Sequence, residues 1–185
     1  MTGLGQAVAG LDRWQSLVAA SADIGRYEMV DGCVIATPPP DPRHQLLADQ
    51  IAAVLRAAAP HGFAPVRSAA LRVPAATLIP DVMVLRPAAS LDAPWINAVD
   101  VALVVEVEAP GTWRLDRQVK PCLYAEAGID AYWRIECTDA GPVAHLYGRA
   151  NSHGYASHRS VNPGQTVLAE LPFEVQLAPR LWVTP

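Results

Sequence analysis

The polar and apolar positions of residues 26–37 follow a hairpin pattern. In this segment, RYEMVDGCVIAT, the pair Asp31 and Gly32 stands between two apolar-rich runs. An Asp-Gly pair in that setting is a strong local signal for a two-residue β-turn, so we predict a β-hairpin here. Residues 1–25 precede it with Leu11, Trp14, Leu17 and Val18 at helical spacing, and we expect a helical lead-in there.

A helical pattern follows the hairpin after a run of prolines. Asp41 and Pro42 form a typical helix start, and apolar residues at helical spacing continue to about residue 59. Pro60 and Gly62 then end the helix.

The remaining chain alternates between strand-like runs and one further helix. The run at 101–108, VALVVEVE, is apolar on both faces until Glu106, as is typical of a strand inside a covered sheet. A second helix is predicted over 113–127, closed by Gly128. The other strand-like runs lie near residues 63–73, 79–86, 130–136, 142–148, 155–161 and 166–176.

These elements predict an α/β fold in which a mixed central sheet is flanked by helices and extended by β-hairpins. A length of 185 residues fits one domain. We expect residues 1–185 to form it, with a lead-in at 1–25, a hairpin and core at 26–137, and a C-terminal β extension at 138–185.

Composition narrows the class of protein. The net charge of −4 disfavours coating of nucleic acid through a broad basic field. No uninterrupted apolar run is long enough for a membrane span, and we expect neither a span nor a signal peptide. Three widely separated cysteines indicate reduced thiols in a cytoplasmic protein, and we expect them to be buried as small apolar residues.

The chemistry lies in acidic residues that end apolar strands and in one lysine. Asp81 begins the strand-like run IPDVMVL, and Glu106 and Glu108 point to the same face of the next one. Carboxylates beside so much apolar surface are costly unless a cation or hydrogen bonds compensate their charge. Oxygen ligands of this kind suit Mg²⁺ or Mn²⁺. Lys120, the single lysine among 14 basic residues, can then orient water or stabilise a charged transition state.

Each residue also has a plainer interpretation. Asp81 can be a turn residue after proline, and Glu108 can mark the point where the strand emerges into solvent. His44 and Glu28 are secondary candidates, with a surface position as the alternative for both. Lys120 can be an ordinary surface charge, and the tip of its side chain is expected to be exposed.

Several motifs together resemble the Uma-type restriction endonuclease family of the PD-(D/E)XK nuclease superfamily. The similarity covers roughly residues 24–177, and the order of the motifs makes it specific. The strings that carry it are RYEMVDG at 26–32, PRHQ at 42–45, PD at 80–81, VVEVE at 104–108, DRQVK at 116–120 and YAEAGIDAYW at 124–133.

The resemblance implies a restriction-endonuclease-like fold in which Asp81 and Glu106 bind the metal. It places Lys120 on the following helix rather than on the strand, and it makes His44 a residue that faces the site. Glu108 stands where the family usually has another residue type, so it is a candidate for a further ligand or base. Pro121 biases Lys120 away from helical geometry, so the helix must kink or restart there.

Two hypotheses of different classes follow. The first is a Mg²⁺- or Mn²⁺-dependent endonuclease that hydrolyses phosphodiester bonds of DNA. The second is a catalytically silent nuclease-fold module that binds DNA or a protein partner. The chain lacks the glycine-rich and nucleophile-elbow motifs of nucleotide-cofactor enzymes and serine hydrolases. Its high apolar fraction and its predicted hairpins indicate a homodimer.

Overall fold

The structure, a computed structural model, describes residues 26–37 and 39–182, so the predicted lead-in at 1–25 lies outside the described residues. The predicted hairpin is confirmed as β1 (Arg26–Val30) paired antiparallel with β2 (Cys33–Thr37). Asp31 and Gly32 join the strands with φ of 48° and 76°. Two consecutive positive φ values are the turn geometry for which an Asp-Gly pair is suited.

The first predicted helix is confirmed as α1 (Pro42–Ala58). The Asp41 side chain accepts a hydrogen bond from the His44 backbone N–H at 2.8 Å, which satisfies one of the free donors at the helix start. One face of α1 is buried, and its buried residues are Leu47, Ala48, Ile51, Ala52 and Leu55. This cap orders the first turn of α1, which carries His44.

A six-stranded sheet forms the centre of the molecule, in the order β11-β10-β9-β8-β6-β3. The strands β8 and β9 pair in parallel, with the short helix α2 (Lys120–Glu126) in their connection, and the other neighbours pair antiparallel. The strands are β3 (Ala64–Arg67), β6 (Val82–Leu85), β8 (Val101–Val107), β9 (Ala131–Thr138), β10 (Gly141–Asn151) and β11 (Gly154–Val161).

A second, five-stranded sheet contains the N-terminal hairpin, in the order β2-β1-β5-β4-β7. Its further strands are β4 (Leu71–Val73), β5 (Ala76–Leu78) and β7 (Ile96–Asn97). This sheet and α2 share one apolar core on one face of the central sheet, around Leu78, Tyr124 and Tyr132. Helix α1 packs in the other core, against Val105 and Trp133. The mixed sheet with helices on both faces agrees with the predicted fold class.

Two predicted strands are divided in the structure. The run 63–73 breaks at Ser68, whose φ of 50° turns the chain from one sheet into the other. The run 166–176 is the pair β12 (Val167–Ala169) and β13 (Val175–Leu177). Pro172 lies between them and has no N–H for a strand ladder.

The cysteines are exposed, which corrects the expectation of burial. Cys33, Cys122 and Cys137 are all unpaired thiols at the surface. Their strand and helix positions face solvent because the neighbouring side chains, not the thiols, fill the two cores. In the described ranges, no helix is long and apolar enough to cross a membrane.

We predict that Gly32→Ala destabilises the hairpin. A Cβ at this position meets no atom within 4 Å, so the cost arises from the backbone φ of 76° alone. It should lower the free energy of unfolding by about 1–2 kcal/mol in urea denaturation.

Gly164→Ala is the matched control. This position also has open space around a new Cβ, and its φ lies outside the left-handed region. An equal loss of stability in both variants would contradict the backbone explanation.

Candidate active site

The antiparallel pairing of β6 and β8 brings Asp81 beside Glu106. Val82 pairs with Val105, so the start of β6 lies against the end of β8. Both carboxylates are buried, with relative exposures of 4% for Asp81 and 2% for Glu106. The Val107 backbone N–H donates a hydrogen bond of 2.8 Å to Asp81 Oδ2 and fixes the orientation of that side chain.

Lys120 is buried at the centre of a ring of carboxylates. Its Nζ lies 2.9 Å from Glu106 Oε1, 3.1 Å from Asp116 Oδ1 and 3.3 Å from Glu28 Oε1. Its relative exposure is 4%, so the expectation of an exposed tip is wrong. A strand, a helical turn and the hairpin therefore each supply one partner to the same ammonium group.

A π-helical turn delivers the lysine in spite of Pro121. Leu115–Val119 form this turn, in which the Lys120 N–H donates to Leu115 O five residues earlier. Helix α2 then starts at Lys120 with Pro121 in its first turn, where a missing N–H costs nothing. The helix thus restarts as the sequence indicated, but Lys120 itself has helical φ and ψ of −58° and −40°. The expected bias away from this geometry is overcome.

A hydroxyl group supports the same turn. The Tyr132 hydroxyl on β9 donates to the Asp116 backbone oxygen at 2.7 Å. A wide helical turn leaves carbonyl groups without regular partners, and this contact satisfies one of them. The central sheet thereby holds the segment that carries both Asp116 and Lys120.

The two secondary candidates, Glu28 and His44, both reach the site. Glu28 is 2% exposed and accepts the Ile79 N–H at 2.8 Å. His44 Nε2 lies 3.0 Å from Asp81 Oδ1. The hairpin and the first turn of α1 therefore approach the same carboxylate cluster from two sides.

Glu108 is not brought into this cluster. Its carboxylate accepts two hydrogen bonds from Arg117, at 2.6 and 2.8 Å, and a further one from Arg134. It does not line the cavity described below. Glu106 and Glu108 therefore end in separate ion-pair groups.

Three site residues were missed in the sequence. Asp116 and Tyr124 lie four residues before and after Lys120, a spacing that places side chains on one helix face and was the available signal. The Tyr124 hydroxyl donates to Glu106 Oε1 at 2.6 Å. Arg26 Nη1 contacts Asp81 Oδ1 at 2.6 Å. No local pattern marked Arg26, because its partner is 55 positions away.

The electrostatics of the site favour an additional cation. Four buried carboxylates face two permanent cations, Arg26 and Lys120; the carboxylates are Glu28, Asp81, Glu106 and Asp116. Burial, together with the other three carboxylates, raises the pKa of Glu106 to about 8 in spite of the nearby ammonium. A carboxyl group whose charge is this costly is one that a divalent ion would stabilise.

The charges of Asp81 and Lys120 are stabilised. Burial alone would raise the pKa of Asp81, but the hydrogen bond from His44 and the charge of Arg26 outweigh it and lower that pKa to about 2. Burial would lower the pKa of Lys120, but Glu106, Glu28 and Asp116 raise it. Both groups are therefore ionised at neutral pH.

The residues of the cluster line a cavity of about 290 Å³. Residues of two loops also line it, namely Pro39 and Pro40 after the hairpin and Ala109, Pro110 and Gly111 after β8. Over residues 26–37 and 39–182, no three His, Cys, Asp or Glu side chains are already spaced as a metal-ligand group. The donor set nonetheless fits Mg²⁺ or Mn²⁺, since Asp81 and Glu106 present carboxylate oxygens to one cavity.

A similar fold occurs in a solved structure. The crystal structure of "a putative nuclease belonging to DUF820 from Anabaena variabilis ATCC 29413" matches with a TM-score of 0.63 and 11% sequence identity. The match covers 84% of this chain and 88% of that chain. At this identity the similarity concerns the fold alone.

Comparison at the sequence level identifies the family. The sequence has no significant match among curated proteins. The model of the Uma2 family, described as "Putative restriction endonuclease", matches residues 11–180. Since this match spans nearly the whole chain, the protein belongs to the Uma2 family.

Proposed function

We propose that the protein is a metal-dependent endonuclease that hydrolyses phosphodiester bonds of DNA. The observation that carries this proposal is the meeting of Asp81, Glu106 and Lys120 in the lining of one cavity. Their spacing in the chain is wide, and two adjacent strands and a helix are needed to bring them together. Membership of the Uma2 family supports the same reaction class.

Asp81 and Glu106 would hold the metal ion. Mg²⁺ or Mn²⁺, when bound, supplies a Lewis acid and lowers the pKa of water. In the hydrolysis, a water oxygen forms a bond to phosphorus, one bridging P–O bond breaks, and the leaving oxygen gains a proton while the water loses one. Lys120 presents its ammonium to the negative charge that develops on the phosphate.

The surrounding residues position these groups. The Val107 N–H orients Asp81, and the Tyr124 hydroxyl orients Glu106. Glu28 and His44 complete the cluster, and His44 Nε2 lies close enough to donate a hydrogen bond to Asp81 Oδ1. Glu108, which Arg117 and Arg134 hold outside the cavity, is assigned a structural role in the loop that follows β8.

A silent module that binds DNA or a protein partner is the second candidate. The observation that favours it is the pairing of Asp81 with Arg26, which occupies the oxygen needed for a metal ion. In such a module, Arg26 and Lys120 would neutralise the site permanently. The metal titration below separates the two candidates.

We further propose a homodimer in the cytoplasm. In the described part of the chain, β11 pairs with β10 alone, and residues 156–160 of this edge strand are exposed. A second copy that pairs with this edge would satisfy its free backbone groups. Three exposed thiols persist in reduced form in a reducing compartment.

Wild-type protein is expected to nick supercoiled DNA with Mg²⁺ or Mn²⁺ and to lose this activity in EDTA. Asp81→Asn should reduce the rate by about 100-fold or more, because it removes a ligand charge at the reacting centre. Calorimetric titration should show weaker binding of Mn²⁺ to the variant.

Asp139→Asn, in the exposed turn between β9 and β10, is the control and should leave both measurements unchanged. Equal Mn²⁺ affinity in wild type and Asp81→Asn would refute the metal assignment. Absence of Mn²⁺ binding and of cleavage in wild type would favour the silent module.

Lys120→Met should both inactivate and destabilise the protein. Removal of one partner from a buried ion pair costs about 3–5 kcal/mol, because charges are left uncompensated. Urea denaturation measures this loss. The double variant Lys120→Met with Glu106→Gln should recover part of it, since one uncompensated charge is gone.

Lys120→Arg tests the shape of the cation. A guanidinium fork is broader than an ammonium, so it should not restore full activity.

The double variant Lys120→Met with Glu106→Gln tests direct pairing of the two residues. A loss of stability in it equal to the sum of the losses in the two single variants would contradict that pairing.

Light scattering should give a mass near twice the 19.8 kDa of one chain at micromolar concentration. Ala156→Lys on the exposed edge of β11 should shift the protein to the monomer, because a charged side chain opposes edge pairing. Leu168→Lys, at another exposed position, serves as the control. A wild-type monomer would exclude the dimer.

A further inference from the structure

Arg26 contacts the carboxylate that the proposed metal ion needs. Its Nη1 lies 2.6 Å from Asp81 Oδ1, and its Nη2 donates to the backbone oxygen of Ile79, two residues before Asp81. His44 Nε2 lies 3.0 Å from the same Oδ1, and the Val107 N–H donates to Oδ2. A carboxylate offers about four acceptor positions, so three of those on Asp81 are occupied. A divalent ion therefore has to compete for this carboxylate.

Among these three donors, Arg26 opposes a divalent ion most strongly. The Val107 N–H belongs to a strand of the central sheet and carries no net charge. A guanidinium is permanently charged, whereas an imidazole such as that of His44 has a neutral form. Two cations at one oxygen repel each other, and the repulsion is stronger where water is excluded. Binding of the ion therefore favours release of Arg26 from Asp81.

The released guanidinium stays within reach of the cavity. Arg26 lines the cavity together with Asp81 and Lys120. Its backbone is held by the pairing of β1 with β2, in which it lies opposite Thr37. Its side chain is 20% exposed, against 5% for that of Lys120. Of these two permanent cations, Arg26 is thus the one that a dissolved anion reaches more easily.

The charges of the site then require an anion at Arg26. Four buried carboxylates and two permanent cations leave two negative charges when all of these groups are ionised, and one divalent ion balances them. A guanidinium released from its carboxylate cannot lose its proton, and a partly buried charge without a partner is costly. Phosphate oxygens match the two-pronged guanidinium donor. The substrate itself would supply this partner.

We propose that Arg26 is an exchangeable counter-ion of Asp81, which the divalent ion displaces and which then binds a phosphate of the DNA substrate. Metal and DNA binding thereby become coupled, since each favours release of Arg26 from Asp81. The choice of ion and substrate rests on the proposed function. Both binding steps, however, can be measured without cleavage.

Arg26→Gln removes the competing charge and keeps a polar side chain. Calorimetric titration with Mn²⁺ in the absence of DNA should show about 10-fold tighter binding to this variant, since a neighbouring charge changes the affinity of a carboxylate for a cation by about that factor or more. Arg26→Lys keeps the charge but not the fork, so it should change the affinity in the same direction and by less. It serves as the test if Arg26→Gln does not fold. A Mn²⁺ affinity equal to or below that of wild type would overturn the inference.

The second measurement is the affinity for a labelled DNA duplex, read by fluorescence anisotropy in EDTA and in Mn²⁺. In Mn²⁺, Arg26→Gln should bind the duplex about 10-fold more weakly than wild type, as expected for the loss of one charge-assisted hydrogen bond. In EDTA the two proteins should bind equally, because Arg26 is then engaged by Asp81. Equal weakening under both conditions would overturn the exchange.

Arg67→Gln is the matched control. The Arg67 side chain is 24% exposed and pairs with Asp49, but neither residue lines the cavity. Its loss should leave both the Mn²⁺ affinity and the effect of Mn²⁺ on DNA binding unchanged. Changes of equal size in the two glutamine variants would overturn the inference, because they would follow from net charge alone.

The remaining outcomes separate this inference from the proposed function. The expected changes in Mn²⁺ and DNA affinity, without cleavage by wild type, would support the inference and refute the hydrolysis. Nicking by wild type together with unchanged Mn²⁺ affinity in Arg26→Gln would overturn the inference and leave the nuclease function intact. Mn²⁺ binding by Arg26→Gln alone would overturn the exchange and favour the silent module, in which Arg26 blocks the site permanently. Absence of Mn²⁺ binding to both proteins would also overturn the inference.

Discussion

The buried contact of the Lys120 ammonium with Glu28, Glu106 and Asp116 is the interaction on which the rest of the site depends. These carboxylates come from the hairpin, the central sheet and the π-helical turn. Each is too deeply buried to remain charged without a partner. The single ammonium group of Lys120 therefore links three elements that are separate along the chain. The ammonium group and its three carboxylate partners therefore contribute both to the stability of the fold and to the charge of the site.

Around this centre, the backbone supplies orientation and the side chains supply charge. The pairing of β6 with β8 sets the distance between Asp81 and Glu106, and the Val107 N–H holds Asp81 in place. Hydroxyl groups on Tyr124 and Tyr132 fix Glu106 and the turn before α2. The groups of the cluster are thus held from both the sheet and the helix, which is the rigidity that a functional site needs.

Local sequence patterns predicted the helices and strands well, but they did not predict contacts between segments that are distant in the chain. The Asp-Gly turn, the capped helix and the apolar strand before Glu106 follow from short-range rules and are present. The pairing of Arg26 with Asp81 does not follow from any such rule, since the hairpin must first dock on the sheet. Burial of Lys120 was missed for the same reason. A lone lysine is expected at the surface until its partners are known.

The π-helical turn at Leu115–Val119 makes the length of this segment as important as its composition. Each residue of an α-helix rotates the chain by about 100°, at 3.6 residues per turn. Deletion of one residue from the turn would give a regular helix of the same residue types, yet it would rotate the Lys120 side chain away from Glu106. The position of the cation is therefore encoded in a residue count, which a comparison of residue identities alone does not register.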